Sequence, residues 1–218
     1  MMSTLPSRLS ELRASTSGWL RLWLQVGAFA LWLAATVYGG ILLWNFSLEP
    51  GQQPSTTSRW PDGSGLRAPS GQPMLVLFLH PLCPCSRATV EELSVLLAKA
   101  DGALGVQAVF VGGAQGRQVE ESSLWKQVMA LPGVTLLTDP DGAEAAKFHS
   151  ATSGDAFLYD STGALHFRGG LTAARGHAGD NFGVDSIVRI LREGKDNPPV
   201  RGPVFGCLLA NPQSPPAP

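Results

Sequence analysis

From Leu22 to Trp44 the chain reads LWLQVGAFALWLAATVYGGILLW, 23 residues without a charge, Gln25 being the most polar. Wound as a helix at ~1.5 Å per residue, this run spans ~34 Å, enough for a hydrocarbon layer of ~30 Å. Trp19, Trp23 and Trp44 fall near its ends, where amphipathic rings favour the headgroup region. A buried core helix of this length would usually carry a polar face, and none is present. A cleaved leader has an apolar stretch of ~7–15 residues and a small-residue cleavage pattern after it. Here the stretch is longer, and NFSLEPGQQ follows it. The pattern therefore predicts a retained transmembrane signal-anchor helix over residues 19–46, with a short segment, residues 1–18, before it.

Residues 47–72 are rich in Pro, Gly and Ser and show no apolar period, which predicts a flexible linker. A folded domain is expected over residues 73–210, and residues 211–218, rich in proline, read as a disordered tail. Inside the domain, Met74–His80 (MLVLFLH) is a continuous apolar run, the mark of a strand buried on both faces. Ser86–Ala100 places Val90, Leu93, Leu96 and Leu97 on one helical face and stops at Asp101-Gly102. Val106–Gly113 predicts a second strand, Val119–Gly133 a second helix, and Val134–Asp139 a third strand closed by the turn DPDG. A short helix over Ala143–Ser150 precedes a hairpin made by DAFLYD and ALHFRGG. Asp185–Gly194 supplies the last helix, with Asp180 or Asn181 as its cap. The order β-α-β-α-β-α-β-β-α predicts an α/β fold: a central mixed sheet with helices on both faces and an antiparallel hairpin at one side.

The formal net charge is −1 and no basic run is present, which excludes a phosphate-neutralising nucleic-acid surface. Charge placement matters more than its sum. Arg8, Arg13 and Arg21 precede the apolar run, and no Lys or Arg follows it until Arg59. The positive-inside rule keeps the N-terminus cytoplasmic and sends the domain across. In a Gram-negative bacterium this is a single-pass inner-membrane protein with a periplasmic domain, in a space where cysteine pairs persist.

The candidate chemistry sits in HPLCPCSRA, His80 to Ala88. Cysteines at a helix N-terminus face unsatisfied N–H groups and the positive end of the helix dipole. Both favour the thiolate, which is the nucleophile of disulfide exchange. Arg87 is a further candidate for that role. A Cys83–Cys85 disulfide would join residues at most ~7 Å apart, near the upper end of the usual Cα separation, so the ring would be strained and reducible. Pro84 fixes φ between them and either promotes or forbids closure. Cys207, in GPVFGCLLA, is a third thiol: a resolving partner, a metal ligand, or a buried apolar residue among Phe205, Leu208 and Leu209. The loop GGLTAARGHAGDNFG, Gly169 to Gly183, is long enough to shape a pocket or to serve only as a connector.

The element order, with cysteines where the first strand meets the first helix, resembles the thioredoxin-like superfamily, in particular its membrane-tethered periplasmic branch that includes the cytochrome c maturation thioredoxins. HPLCPCSRAT, RGHAGDNFG and GPVFGC are similar, more narrowly, to bacterial RedB-type proteins, over about residues 73–207. The resemblance implies thiol–disulfide exchange through Cys83 and Cys85, with Cys207 as an optional third member and no cofactor. It also implies that the segment before the fourth strand presents its backbone to substrate. There, Thr152-Ser153-Gly154 stands where relatives carry Thr and a cis-proline, and together with Pro84 it forms the expected substrate-contacting set. Thioredoxins carry C-x-x-C, whereas this chain has C-x-C. If Cys83 attacks, Ser86 takes the second-cysteine place; if Cys85 takes the second place, Leu82 takes the first.

Expected partners are exported proteins with cysteines and a membrane or periplasmic redox partner. The rival from another class is copper(I) binding by Cys83 and Cys85 with His80, His177 or Cys207 completing the set, since thiolates suit soft ions. A third reading keeps the fold as a non-catalytic binding module with a structural disulfide. His149 and His166 need no special role. Peroxide reduction is excluded, because relatives with that activity place Thr or Ser three residues before the attacking cysteine, and His80 and Leu82 stand there.

Overall fold

Met74–Leu79, six consecutive buried apolar residues, form strand β1, where the two layers of the core meet. Side chains alternate along a strand. Leu75, Leu77 and Leu79 therefore join Leu93, Leu96 and Ile187 on one face, while Met74, Val76 and Phe78 join Phe148, Phe157 and Tyr159 on the other. The computed structural model describes residues 5–112, 119–194 and 198–209, with side chains from residue 18 onward. Leu5–Leu48 forms helix α1, of which Gly18–Leu48 has mean hydropathy 1.9 and is long and apolar enough to cross a membrane. Met1–Phe46 is one unit and Ser47–Pro218 another.

In the second unit, Ser86–Ala100 forms α2, Gly105–Val111 β2, Ser123–Met129 α3 and Val134–Asp139 β3. Ala143–Lys147 forms α4, Asp155–Tyr159 β4, Leu165–Gly169 β5, Phe182–Glu193 α5 and Val200–Arg201 β6. The sheet order is β3-β2-β1-β4-β5-β6; β1, β2 and β3 are parallel, and β4 runs antiparallel to both β1 and β5. The expected order of strands and helices is present, and β6 is an addition. Helix α3 is shorter than its apolar spacing predicts. The Ser122 hydroxyl accepts the Trp125 N–H at 3.1 Å and fixes a new start, leaving Val119–Glu121 as a separate 3₁₀ turn. Helix α5 starts three residues early because Asn181, one of the two candidate caps, accepts the Val184 N–H at 2.9 Å.

Residues 47–72 differ from the expected flexible linker. They are laid along the domain, each stretch held by a specific partner. Gly51 N–H donates to the Val204 carbonyl at 2.7 Å, and Thr152 Oγ1 donates to the Gln52 carbonyl at 2.8 Å. The buried Arg168 guanidinium donates to the Pro54 carbonyl, and Trp60 N–H to the Gly163 carbonyl at 2.8 Å. Composition hid this, because Pro, Gly and Ser satisfy their backbone here by tertiary rather than periodic bonds. The tail expected over residues 211–218 lies outside the described residues.

Candidate functional site

The end of β1 turns into α2 through His80-Pro81-Leu82-Cys83-Pro84-Cys85. Cys83 N–H donates to the His80 carbonyl at 3.1 Å, and Ser86 N–H donates to the Cys83 carbonyl at 3.2 Å, so two tight turns carry the chain into the helix. Cys85 is the N-cap residue, already helical in its dihedrals (φ −67°, ψ −25°) and with no capping bond from its side chain. Beneath the turn, Ser86 Oγ and Ser153 Oγ lie 2.8 Å apart, and Ser153 Oγ also accepts the His80 N–H at 2.8 Å. This hydroxyl pair fixes the cysteine turn against the segment before β4.

A second segment closes over the first. Residues 206–209 run antiparallel to 151–153: Ser153 N–H donates to the Cys207 carbonyl at 2.8 Å, and Leu209 N–H to the Ala151 carbonyl at 2.9 Å. That pairing brings Cys207 Sγ to 3.1 Å from Cys83 Sγ. The sulfurs of Cys83, Cys85 and Cys207 all lie within 4.8 Å of one another. Cys83 is only 4 % exposed, while Cys85 and Cys207 are half-buried.

The three thiols are not equivalent. Burial alone would raise the pKa of Cys83, yet hydrogen bonds from the Ser86 side chain, the Cys207 thiol and the backbone outweigh it and hold Cys83 below the usual thiol range. Burial pushes Cys207 up to about 12, and the hydrogen bond and charge of the neighbouring Cys83 add to that shift. Burial and the Cys83 charge likewise raise Cys85. The opposite directions of these shifts make Cys83 the first of the three thiols to ionise. Arg175 opposes the rise at Cys85 and Cys207, so the guanidinium acting on the cluster comes from the loop before α5. Arg87, the cation suggested by sequence, is exposed and is not among the leading influences on the thiols.

The other expected site residues separate. Thr152 and Ser153 are buried, and both help to seat the Cys207 segment. Gly154 continues the sheet by donating to the Phe78 carbonyl at 2.7 Å; its φ of 96° and a neighbouring Thr89 hydroxyl explain the glycine. Pro84 is exposed between the cysteines. His80 Nδ1 accepts the Leu82 N–H at 3.2 Å, and desolvation lowers its pKa. His177 is exposed, with Nδ1 2.7 Å from the Arg175 carbonyl. Among the described residues, neither histidine joins the cysteine cluster. Sequence reasoning missed Arg175 and the role of Gly206; the signal available was the arginine in RGHAGD and the Gly-Cys pair beside apolar residues.

No protein-family profile matches the chain, and no curated protein matches it. Solved structures do. An uncharacterized conserved protein from Geobacillus kaustophilus is 20% identical with a TM-score of 0.57, over 77% of this chain and 95% of that one. A hypothetical protein from Sinorhizobium meliloti is 24% identical with a TM-score of 0.51, over 75% and 94%. A secreted disulfide oxidoreductase of Mycobacterium tuberculosis aligns at 18% identity and a TM-score of 0.41, over 57% and 83%. The mixed sheet with helices on both faces, opening from its central strand into the cysteine turn, gives this chain a thioredoxin-like fold.

Proposed function

We propose that this is a membrane-anchored thiol–disulfide oxidoreductase of RedB type, with its domain in an oxidising compartment outside the cytoplasm. One observation carries the reading. Cys83 Sγ, on a turn that opens a helix, lies 3.1 Å from Cys207 Sγ, and its surroundings favour ionisation of Cys83 before Cys207. In the reductive direction, the Cys83 thiolate attacks one sulfur of a client disulfide and expels the other as a thiolate. Cys207, deprotonated as it attacks, then displaces the client from Cys83. The client gains two electrons and the protein keeps a Cys83–Cys207 disulfide, which an external dithiol protein reduces again. Cys85 is the second candidate for the resolving step. Clients are exported proteins with cysteines.

The test is intact-mass thiol trapping of the full-length protein in detergent across glutathione redox buffers. A two-electron transition that is retained in Cys85→Ser and lost in both Cys83→Ser and Cys207→Ser supports this reading. A bond that breaks only below about −300 mV, or no bond at all, defeats it and favours a structural role for the cysteines.

The three convergent sulfurs favour one second reading, capture of copper(I) by thiolates without either histidine. Its check is an anaerobic copper(I) titration: one tightly held equivalent, lost in each Cys→Ser variant, supports it.

A further inference from the structure

Residues 206–209 form a short strap joined to residues 151–153 through one antiparallel bridge, and each position meets a different demand. Their main chain exchanges hydrogen bonds with Ala151 and Ser153, which fixes register without reading side chains. At Gly206 a Cβ would run into the Ser153 carbonyl, so this position takes only glycine. Cys207 delivers its sulfur to Cys83. Leu208 is 50 % exposed, and Leu209, 3 % exposed, enters the apolar cluster of Leu66, Phe78 and Phe148. The Arg175 guanidinium donates to the Gly206 carbonyl and clamps the segment from the side. Strand addition of this kind takes affinity from backbone bonds and specificity from alternate side chains.

With the strap in place, Cys83 is almost closed to solvent, and the space in front of its sulfur is taken by another sulfur. We propose that residues 206–209 are a detachable internal copy of the substrate. The preferred client is then an extended segment with glycine before its reactive cysteine and an aliphatic residue two positions after it. This segment adds to Ala151–Ser153 once the strap lifts. The inference rests on the exchange reading above and deepens it. In the step itself, the Cys83 thiolate forms a bond to the client's cysteine sulfur, and that sulfur's former partner leaves as a thiolate carrying the electron pair. When the strap returns, Cys207 attacks Cys83 and releases the client thiol.

The test uses the reduced full-length protein in detergent and two synthetic peptides. One copies residues 203–209 (PVFGCLL) with its cysteine joined to thionitrobenzoate; the other carries valine in place of the glycine. Attack by Cys83 releases coloured thionitrobenzoate, and mass identifies the product as the mixed disulfide or, once Cys207 has expelled the peptide thiol, the Cys83–Cys207 disulfide. The readout is the ratio of the two rates, in which the intrinsic reactivity of Cys83 cancels. In the wild type, strap opening limits both peptides and the ratio stays near one. In Gly206→Val, whose strap cannot seat, and in Leu209→Ala, whose strap loses its anchor, the ratio rises to about tenfold, equivalent to ~1.4 kcal/mol. If Gly206→Val fails to fold, Leu209→Ala carries the same comparison.

A ratio near one in the variants, with Cys83 still oxidised by glutathione disulfide, overturns the client copy and leaves the exchange reading standing. A tenfold ratio already present in the wild type overturns the strap as a cover. Failure of Cys83 to react even with glutathione disulfide overturns both.

Discussion

Ser86 occupies the position where a C-x-x-C enzyme would carry its second cysteine, and here it works on the first one through a hydrogen bond rather than a disulfide. Its hydroxyl and backbone N–H both favour the Cys83 thiolate, and the same hydroxyl meets Ser153. Ser86→Ala removes one of these donors and leaves the helix start in place. The pH midpoint of Cys83 alkylation by iodoacetamide should move upward, while stability falls by about 1–3 kcal/mol, as expected when a buried hydroxyl bonded to both Cys83 and Ser153 is removed. An unchanged midpoint would mean that the hydroxyl does not act on the sulfur. The position of Cys83 at a helix N-terminus was legible in the sequence, because a short motif between an apolar run and a helical period places itself. Arg175 was not legible. It reaches the thiols from a loop that lies far away in sequence, and nothing local distinguishes it from Arg87.

Elements with a clear pattern were legible for the same reason: α2 buries the one face that its helical period announces, while β1 and the β4–β5 hairpin announce themselves as short runs bounded by turns. Strand β6 and the 206–209 strap were not, since two to four residues carry no period and their pairing is decided by partners elsewhere. Between β4 and β5 lies another non-periodic feature, the fully buried pair of Asp155 and Arg168, with Nη2 and Oδ2 2.9 Å apart. Arg168 also donates to the His149 carbonyl at 2.8 Å and to Pro54, and stacks 4.8 Å over Phe157. It therefore joins three segments that the sheet alone does not connect. Arg168→Ala should cost about 3–5 kcal/mol in chemical denaturation, as expected when one member of a buried pair is removed. Burial lifts Asp155 from its ordinary value of 3.8 to about 6 in spite of the guanidinium. Because its folded value lies above its unfolded one, the folded state takes up the extra proton, and stability declines as pH rises from about 4 to about 6. Asp155→Asn lacks this dependence, so the melting temperature of the wild type should fall relative to the variant across that window. Parallel melting curves at both pH values would refute the assignment.

For the molecule as a whole, the question is where the domain starts. The composition of residues 47–72 suggests Pro73, whereas the contacts place the boundary at Ser47. Trp60 packs edge-on against Phe148 and Tyr159, at 5.2 Å and 5.0 Å between ring centroids, and Leu66 is buried in the same cluster. The buried Gln107 side chain exchanges two hydrogen bonds with the Arg67 backbone, at 3.0 Å and 2.8 Å. Gly51 holds Val204 two residues before the strap, so this segment also braces the candidate site. A chain begun at Pro73 loses the packing of the half-buried Trp60, worth about 1–3 kcal/mol. It also leaves the Gln107 amide and part of the Arg168 guanidinium without partners, at about 1–3 kcal/mol each. That sum rivals the total stability of an ordinary domain, about 5–15 kcal/mol. A chain begun at Ser47 keeps every one of these contacts. Melting followed by circular dichroism should therefore show a cooperative transition for the chain begun at Ser47, and a lost or strongly lowered one for the chain begun at Pro73. Equal melting temperatures would return residues 47–72 to the status of a linker and remove the brace behind the strap.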